Sequence, residues 1–203
     1  MNQRSTADAL VSAGRTLFAR HGYDGTSIRA LTRRARANLG AVTYHFGSKK
    51  ALYHAVIASF AKPLRDRITN AAAGGGAPVD RLEAVVRAYF THLAEHPELP
   101  RLMLQQLASG REPPPPVVEM GGDVFRTLAG LIVAGQSDGT IGPGHPALLA
   151  ASVVSQPIFF NLLRPVLREV ARIDLADAGT RAQVVEHAVR FVRAALDPIK
   201  EKP

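Results

Sequence analysis

Apolar residues recur along this chain at helical spacing, with no sustained alternation of the kind a half-buried strand requires. Leu10, Ala13, Leu17 and Phe18 share one face of a first helix over about residues 5–21, and Gly22 suits the position just past its end. Ile28 and Leu31 mark a short second helix that Thr26 or Ser27 can cap. Ala35, Arg36 and Ala37 then make a turn. Asn38 is placed to cap a third short helix over residues 39–45, with Val42 facing inward and Phe46 closing the corner. Ser48 caps a longer helix carrying Leu52, Val56, Phe60 and Leu64, and Pro63 inside it is expected to kink or end it. Two short helices crossing steeply through a tight turn form the shape that sets a second helix into a DNA major groove.

The rest is also helical in pattern. Residues 71–78, AAAGGGAP, punctuate the chain. Helical patterns follow over 79–96, 99–108 and 117–136, the last two separated by a run of four prolines. Residues 146–170 form one strongly apolar stretch containing Pro157 and Pro165, and residues 180–196 close the chain as an amphipathic helix. The expected fold is all-α: an N-terminal three-helix helix-turn-helix domain over 1–47 and a helical domain over 48–203, whose first helix, 48–70, links the two.

Charge separates the same two parts. Of the net +8, residues 1–67 hold 12 Lys and Arg against 3 Asp and Glu, a net +9, and residues 68–203 hold 13 against 14, a net −1. A basic head on a near-neutral body is what a phosphate-binding module requires. The chain has no cysteine, so disulfides and thiol chemistry are excluded. No apolar run reaches membrane-spanning length and the N-terminus lacks a signal-like core, so a cytoplasmic protein without a membrane partner is expected.

The third helix has the residue types that reading base edges demands. Gly40 and Ala41 permit close backbone approach, Thr43 offers a hydroxyl and a methyl group, and Asn38 is polar. Tyr44 and His45 can donate to phosphate oxygens. The helix starts at Thr26/Ser27 and at Ser48/Lys49 carry no carboxylate that would compete with phosphate for their free N–H groups. Arg29, Arg33, Arg34, Arg36, Lys49 and Lys50 supply sequence-independent charge. Enzyme signatures are scarce: no Ser nucleophile elbow, phosphate loop or dinucleotide fingerprint occurs. His92 to His96 does read H-x-x-E-H, an arrangement of some zinc sites, but zinc catalysis needs a third protein ligand and the pattern ends at Pro97. No metal and no cofactor is expected. A zinc-dependent hydrolase using His92 and His96, or a sequence-nonspecific nucleic-acid-binding helical protein, are the alternatives.

The segment from Gly22 to Ile28, GYDGTSI, followed by residues 38–49, NLGAVTYHFGSK, resembles the DNA-binding domain of the TetR/AcrR family of bacterial regulators. The likeness covers roughly residues 5–60. It implies that Thr26 and Ser27 meet phosphate, that Leu39, Gly40 and Thr43 face the groove, and that Tyr44, His45 and Lys49 meet phosphate. Lys50 and Ala30 stand where the family often has acidic residues, and Leu39 is apolar where many members are polar. The resemblance further implies a homodimer formed through the last two long helices, a double-stranded palindromic operator, and a small-molecule ligand held in the body. The proline inside the helix from Ser48, which joins head to body, marks Pro63 as a candidate pivot between the two. Polar groups on the apolar helices of the body mark the pocket candidates: Tyr89, His92, Gln106 and Gln156, with Gln105 and Asn161, and Phe90, Met103, Phe125, Phe159 and Phe160 as walls. The function so implied is a ligand-responsive transcriptional repressor.

Overall fold

The computed structural model of the chain describes residues 5–198. Helices follow one another through it: α1 Thr6–His21, α2 Ile28–Ala35, α3 Ala41–Phe46, α4 Lys49–Ala72, α5 Pro78–Glu95, α6 Glu98–Ala108, α7 Pro115–Asp138, α8 Pro146–Leu162, α9 Arg164–Ala171 and α10 Ala178–Leu196. No strand occurs among the described residues. They divide into two compact units: one holds the residues up to Pro63 together with His96–Met120, the other Leu64–Glu95 and the residues from Gly121 onward.

 The boundary between Pro63 and Leu64 falls inside α4, and the segment Leu64–Glu95 belongs with the later helices. This division differs from the expected break after residue 47. The reason is that α4 carries buried side chains on both sides of Pro63, and α6 returns to pack on α1.

Local chemistry sets the boundaries of the first unit. Ser5 Oγ accepts from the Asp8 N–H at 3.1 Å and caps α1. Gly22 ends α1 at φ 68°, and a Cβ on Gly25 would stand 2.4 Å from the His21 carbonyl oxygen, so the chain turns back under α1 only as glycine. Ser27, not Thr26, caps α2, its Oγ accepting from the Ala30 N–H at 3.1 Å. α2 stops where Arg36 turns left-handed at φ 54°. α3 begins at Ala41, two residues later than its pattern suggests. Asn38 does not cap it through its side chain: its backbone carbonyl takes the Ala41 N–H at 3.1 Å, and residues 38–40 remain in the turn. Ser48 Oγ accepts from the Ala51 N–H and caps α4, which runs through Pro63 without ending.

Leu10, Phe18, Leu31, Val42, Leu52, Val56 and Phe60 fill the core of this unit, each essentially without exposure. The ring of Phe18 meets that of Tyr53 edge-on at 5.0 Å. Arg15 straps α1 to α4, donating to Ser59 Oγ at 2.9 Å and to the Ser59 carbonyl at 3.0 Å, with its guanidinium 4.4 Å from the Phe60 ring centre.

In the second unit, α5 buries Leu82, Val85, Val86, Phe90 and Leu93, and α10 buries Val184, Ala188, Val189, Val192 and Leu196. The apolar stretch over 146–170 is not one helix. It breaks at Leu163, and α8 and α9 meet at a 67° bend. Pro165 explains the break, since it has no N–H to continue the α8 hydrogen-bond ladder and is itself tolerated in a first helical turn. No single helix among the described residues is long and apolar enough to cross a membrane; only the bent pair α8–α9 passes that test, when taken together.

Two outcomes are expected. Gly25→Ala forces the α1–α2 corner apart and lowers stability by roughly 1–3 kcal/mol, read as a fall in Tm; an unchanged Tm contradicts the close approach. Arg87 donates to the Glu186 carboxylate and holds it below the usual carboxylate range. Its contribution is therefore present above the unfolded pKa and lost as pH falls through the folded one. The Tm difference between the wild type and Glu186→Gln should shrink on acidification from pH 7 to about 3; a difference independent of pH contradicts the pairing.

Candidate nucleic-acid interface

α3 shows two faces. Ala41 and Val42 are buried and Phe46 is half-buried, which fixes the helix to its unit. Thr43, Tyr44 and His45 are exposed, as are Asn38, Leu39 and Gly40 in the turn before it. Tyr44 is 85% exposed, a large aromatic side chain that contributes almost nothing to the core. Its ring meets that of His45 edge-on at 4.9 Å. Leu39 is 55% exposed and projects an apolar side chain from the same turn. Beside them, Thr6, Arg36, Ala37 and Asn38 line a hollow of about 470 Å³ together with Ala41, Tyr44 and His45.

The surrounding charge is positive. Arg29, Arg33, Arg34, Arg36 and Lys50 are exposed, and Asp8 and Asp24 are the acidic residues up to Pro63. Asp24 is already paired with Arg111. Neither α2 nor α4 carries an acidic residue in its first turn, so their N-terminal N–H groups and dipole ends face no internal anion. Ser27 is exposed at the start of α2, and Ser48 at the start of α4.

Two residues expected at the phosphate surface are turned inward. Thr26 is 1% exposed, and its hydroxyl is shared between the carbonyls of Gly22 at 2.8 Å and Leu17 at 3.2 Å. It holds the α1–α2 corner and has no hydroxyl to offer DNA. Lys49 is half-buried; its ammonium donates to the carbonyls of Tyr23 at 2.9 Å and Thr26 at 3.0 Å and lies 4.2 Å from the Tyr23 ring centre. The carbonyls left over at the α1–α2 corner draw the cation in, and Lys49 clamps the start of α4 to that corner. Sequence alone gives no sign of either role, because both depend on backbone carbonyls.

The candidates in the body are dispersed. Tyr89, Phe90 and His92 are buried in α5, and burial pushes the Tyr89 phenol well above its usual range. Phe160 is half-buried with its ring 6.2 Å from that of Phe90. Gln156 is half-buried on α8, and Phe125 and Phe159 are exposed. Asn161 is buried and donates to the Pro157 carbonyl at 2.9 Å, a satisfied core amide. Met103 and Gln106 belong to the first unit. His96 lies past the end of α5, so His92 and His96 do not share one helical face, and no group of three or more metal-ligating side chains is found among the described residues.

Comparison with known proteins gives the same picture. Residues 10–56 match the family described as bacterial regulatory proteins, tetR family, and residues 78–192 match the tetracyclin repressor-like C-terminal domain. The chain is 24% identical over 185 residues to the HTH-type transcriptional repressor NicS of Pseudomonas putida, covering 87% of this chain and 85% of that protein. It is 23% identical over 197 residues to the HTH-type transcriptional regulator RutR of Escherichia coli, covering 94% and 90%. Among solved structures, a bacterial regulatory protein in the tetR family from Rhodococcus superposes with a TM-score of 0.79 at 21% identity, covering 98% of this chain and 100% of that one. The TetR family transcriptional regulator PfmR from Thermus thermophilus superposes with a TM-score of 0.75 at 19% identity, covering 98% and 100%. The C-terminal match alone spans more than half of the chain, which belongs to the tetR family of bacterial regulatory proteins and is a DNA-binding transcription regulator of the ligand-responsive type, not an enzyme.

Proposed function

We propose that the protein is a cytoplasmic homodimeric repressor that leaves a palindromic operator when a small molecule binds its body. The observation that carries the reading is the outward face of α3: Thr43, Tyr44 and His45 stand exposed on a helix anchored by Val42, within a strongly basic segment. In this reading Thr43, Gly40 and Leu39 face base edges. Tyr44 and His45 donate to phosphate oxygens, and Arg36, Ser27 and the α4 start complete the backbone contacts. Leu39 offers a thymine methyl group an apolar surface and no hydrogen bond.

A dimer places two such helices in successive major grooves, about 34–36 Å apart or at a multiple of that spacing. Support for a homodimer comes from the second unit. Leu148 and Phe159 on α8, Val170 on α9 and Phe191 on α10 are large apolar side chains left at the surface, Val170 at 80% exposure. A ligand that prefers a different spacing of the heads weakens operator binding by its differential affinity for the two arrangements. Buried Tyr89, Phe90 and His92 and half-buried Phe160 are the groups in the second unit around which such a ligand is proposed to sit. The similarity to the transcriptional repressor NicS supports the repressing direction.

The expected signatures separate base reading from charge. Thr43→Ala should erode discrimination between the operator and random DNA by about 1–3 kcal/mol at the affected base pair. Arg36→Gln should weaken both DNAs alike and reduce the salt slope by about 1. Fluorescence anisotropy on both DNAs across a salt series measures this. Equal loss on both DNAs for Thr43→Ala removes that residue from the base-reading set, and a loss confined to the operator for Arg36→Gln removes it from the phosphate set.

A further inference from the structure

A cavity of about 680 Å³ is lined by residues of the first unit alone, none of them on α3. Its volume falls in the range of small-molecule sites. The rings of Tyr23 and Tyr53, 5.2 Å apart and edge-on, form one wall. Pro113, Pro114 and Pro115 form another, a rigid apolar surface that loses little freedom when something packs on it. Gln106 ties the two together. Its Oε1 accepts from the Tyr53 hydroxyl at 2.9 Å, and its Nε2 donates to the carbonyls of Glu112 at 3.1 Å and Arg111 at 3.4 Å. The proline run is thereby held against α4 before any ligand arrives.

The charged groups of the cavity are two cations and one carboxylate, Lys50 and Arg111 against Glu112. Lys50 is exposed and has no ion pair among the described residues. Arg111 is paired with Asp24 and lies 5.1 Å from the Tyr23 ring centre. That pair is exposed on both sides, so it is weakly held and a competing carboxylate can take its place. Burial raises the Tyr53 phenol and the charge of Arg111 offsets part of the rise, so the guanidinium is felt across the cavity.

We propose that this cavity is a second small-molecule site, specific for a planar aromatic ring bearing a carboxylate. The ring lies between the tyrosine wall and the proline wall, and the carboxylate meets Arg111 and Lys50. Arg111 shares Tyr23 with Lys49, the clamp on the α1–α2 corner, so occupancy bears directly on the support of the DNA-binding head. The site is independent of the ligand proposed for the body.

Benzoate is the probe, with uncharged benzamide as its counterpart, titrated calorimetrically into the full chain. Saturable binding of one benzoate per chain is expected, with Kd between about 10 μM and 1 mM and benzamide at least about tenfold weaker. Lys50→Ala should weaken benzoate about three- to tenfold and Arg111→Gln by tenfold or more. Lys50 has no internal partner to lose, so its variant tests the site even if loss of the Asp24 pair loosens the Arg111 variant. With four tyrosines in the chain, ring resonances provide a second readout: Tyr23 and Tyr53 should shift on titration while Tyr44 and Tyr89 do not. No saturable binding up to about 10 mM, equal affinity for benzamide, or wild-type affinity in Lys50→Ala overturns the proposal. So does benzoate binding that shifts Tyr89 alone, which places the ligand in the second unit.

Discussion

Six residues make less than two turns of helix, far too few to hold a helical shape in water. α3 exists because Ala41 and Val42 are buried beneath it and because its ends are fixed by neighbours. The rest of the head supplies that brace. Gly22 and Gly25 let the chain fold back under α1, Thr26 pins the corner through two carbonyls, and Lys49 clamps the same corner to the start of α4. With these groups turned inward, the outward face of α3 is free of structural duty, and its exposed Thr43, Tyr44 and His45 are available for DNA.

This division of labour changes how the cations of the head are to be understood. Net positive charge attracts DNA whatever its sequence. Which cations touch phosphate is decided by what else competes for them. Lys49 and Arg15 are committed to carbonyls and aromatic rings, and Arg111 to Asp24. Arg29, Arg33, Arg36 and Lys50 remain exposed and carry the long-range field. In the second unit the charges pair along α5 and α10 instead, Arg87 with Glu186 and Arg193 with Asp80 and Glu83, in keeping with its near-neutral balance.

Most of the head was legible in its sequence because its signals are local. The apolar spacing of Leu10, Leu17 and Phe18, the serine caps at Ser27 and Ser48, and the glycine after His21 each act within a few residues. What escaped depends on backbone groups or on distant partners. Thr26 and Ser27 are chemically alike, and only the carbonyls beneath them decide which one caps. The α8–α9 break at Leu163 was marked in the sequence only by Pro165, because the leucines and valines on either side give the stretch one strongly apolar character. The cavity beside the proline run joins Tyr23 and Arg111, too far apart in the chain for any periodicity to pair them, so only Gln106 of its lining stood out in the sequence as a pocket candidate. In the body, Asn161 illustrates why polar residues on apolar helices are weak pointers: its amide serves a carbonyl one turn back.

The central claim is that the outward face of α3 reads a particular DNA sequence. It is tested most directly by measuring affinity for DNA from the gene's own upstream region against random DNA of equal length. At about 150 mM salt, screening suppresses much of the backbone attraction. The account predicts tight binding to one inverted repeat, at least about a thousandfold over random DNA. Equal, steeply salt-dependent binding to both would contradict it and reduce the head to a basic surface.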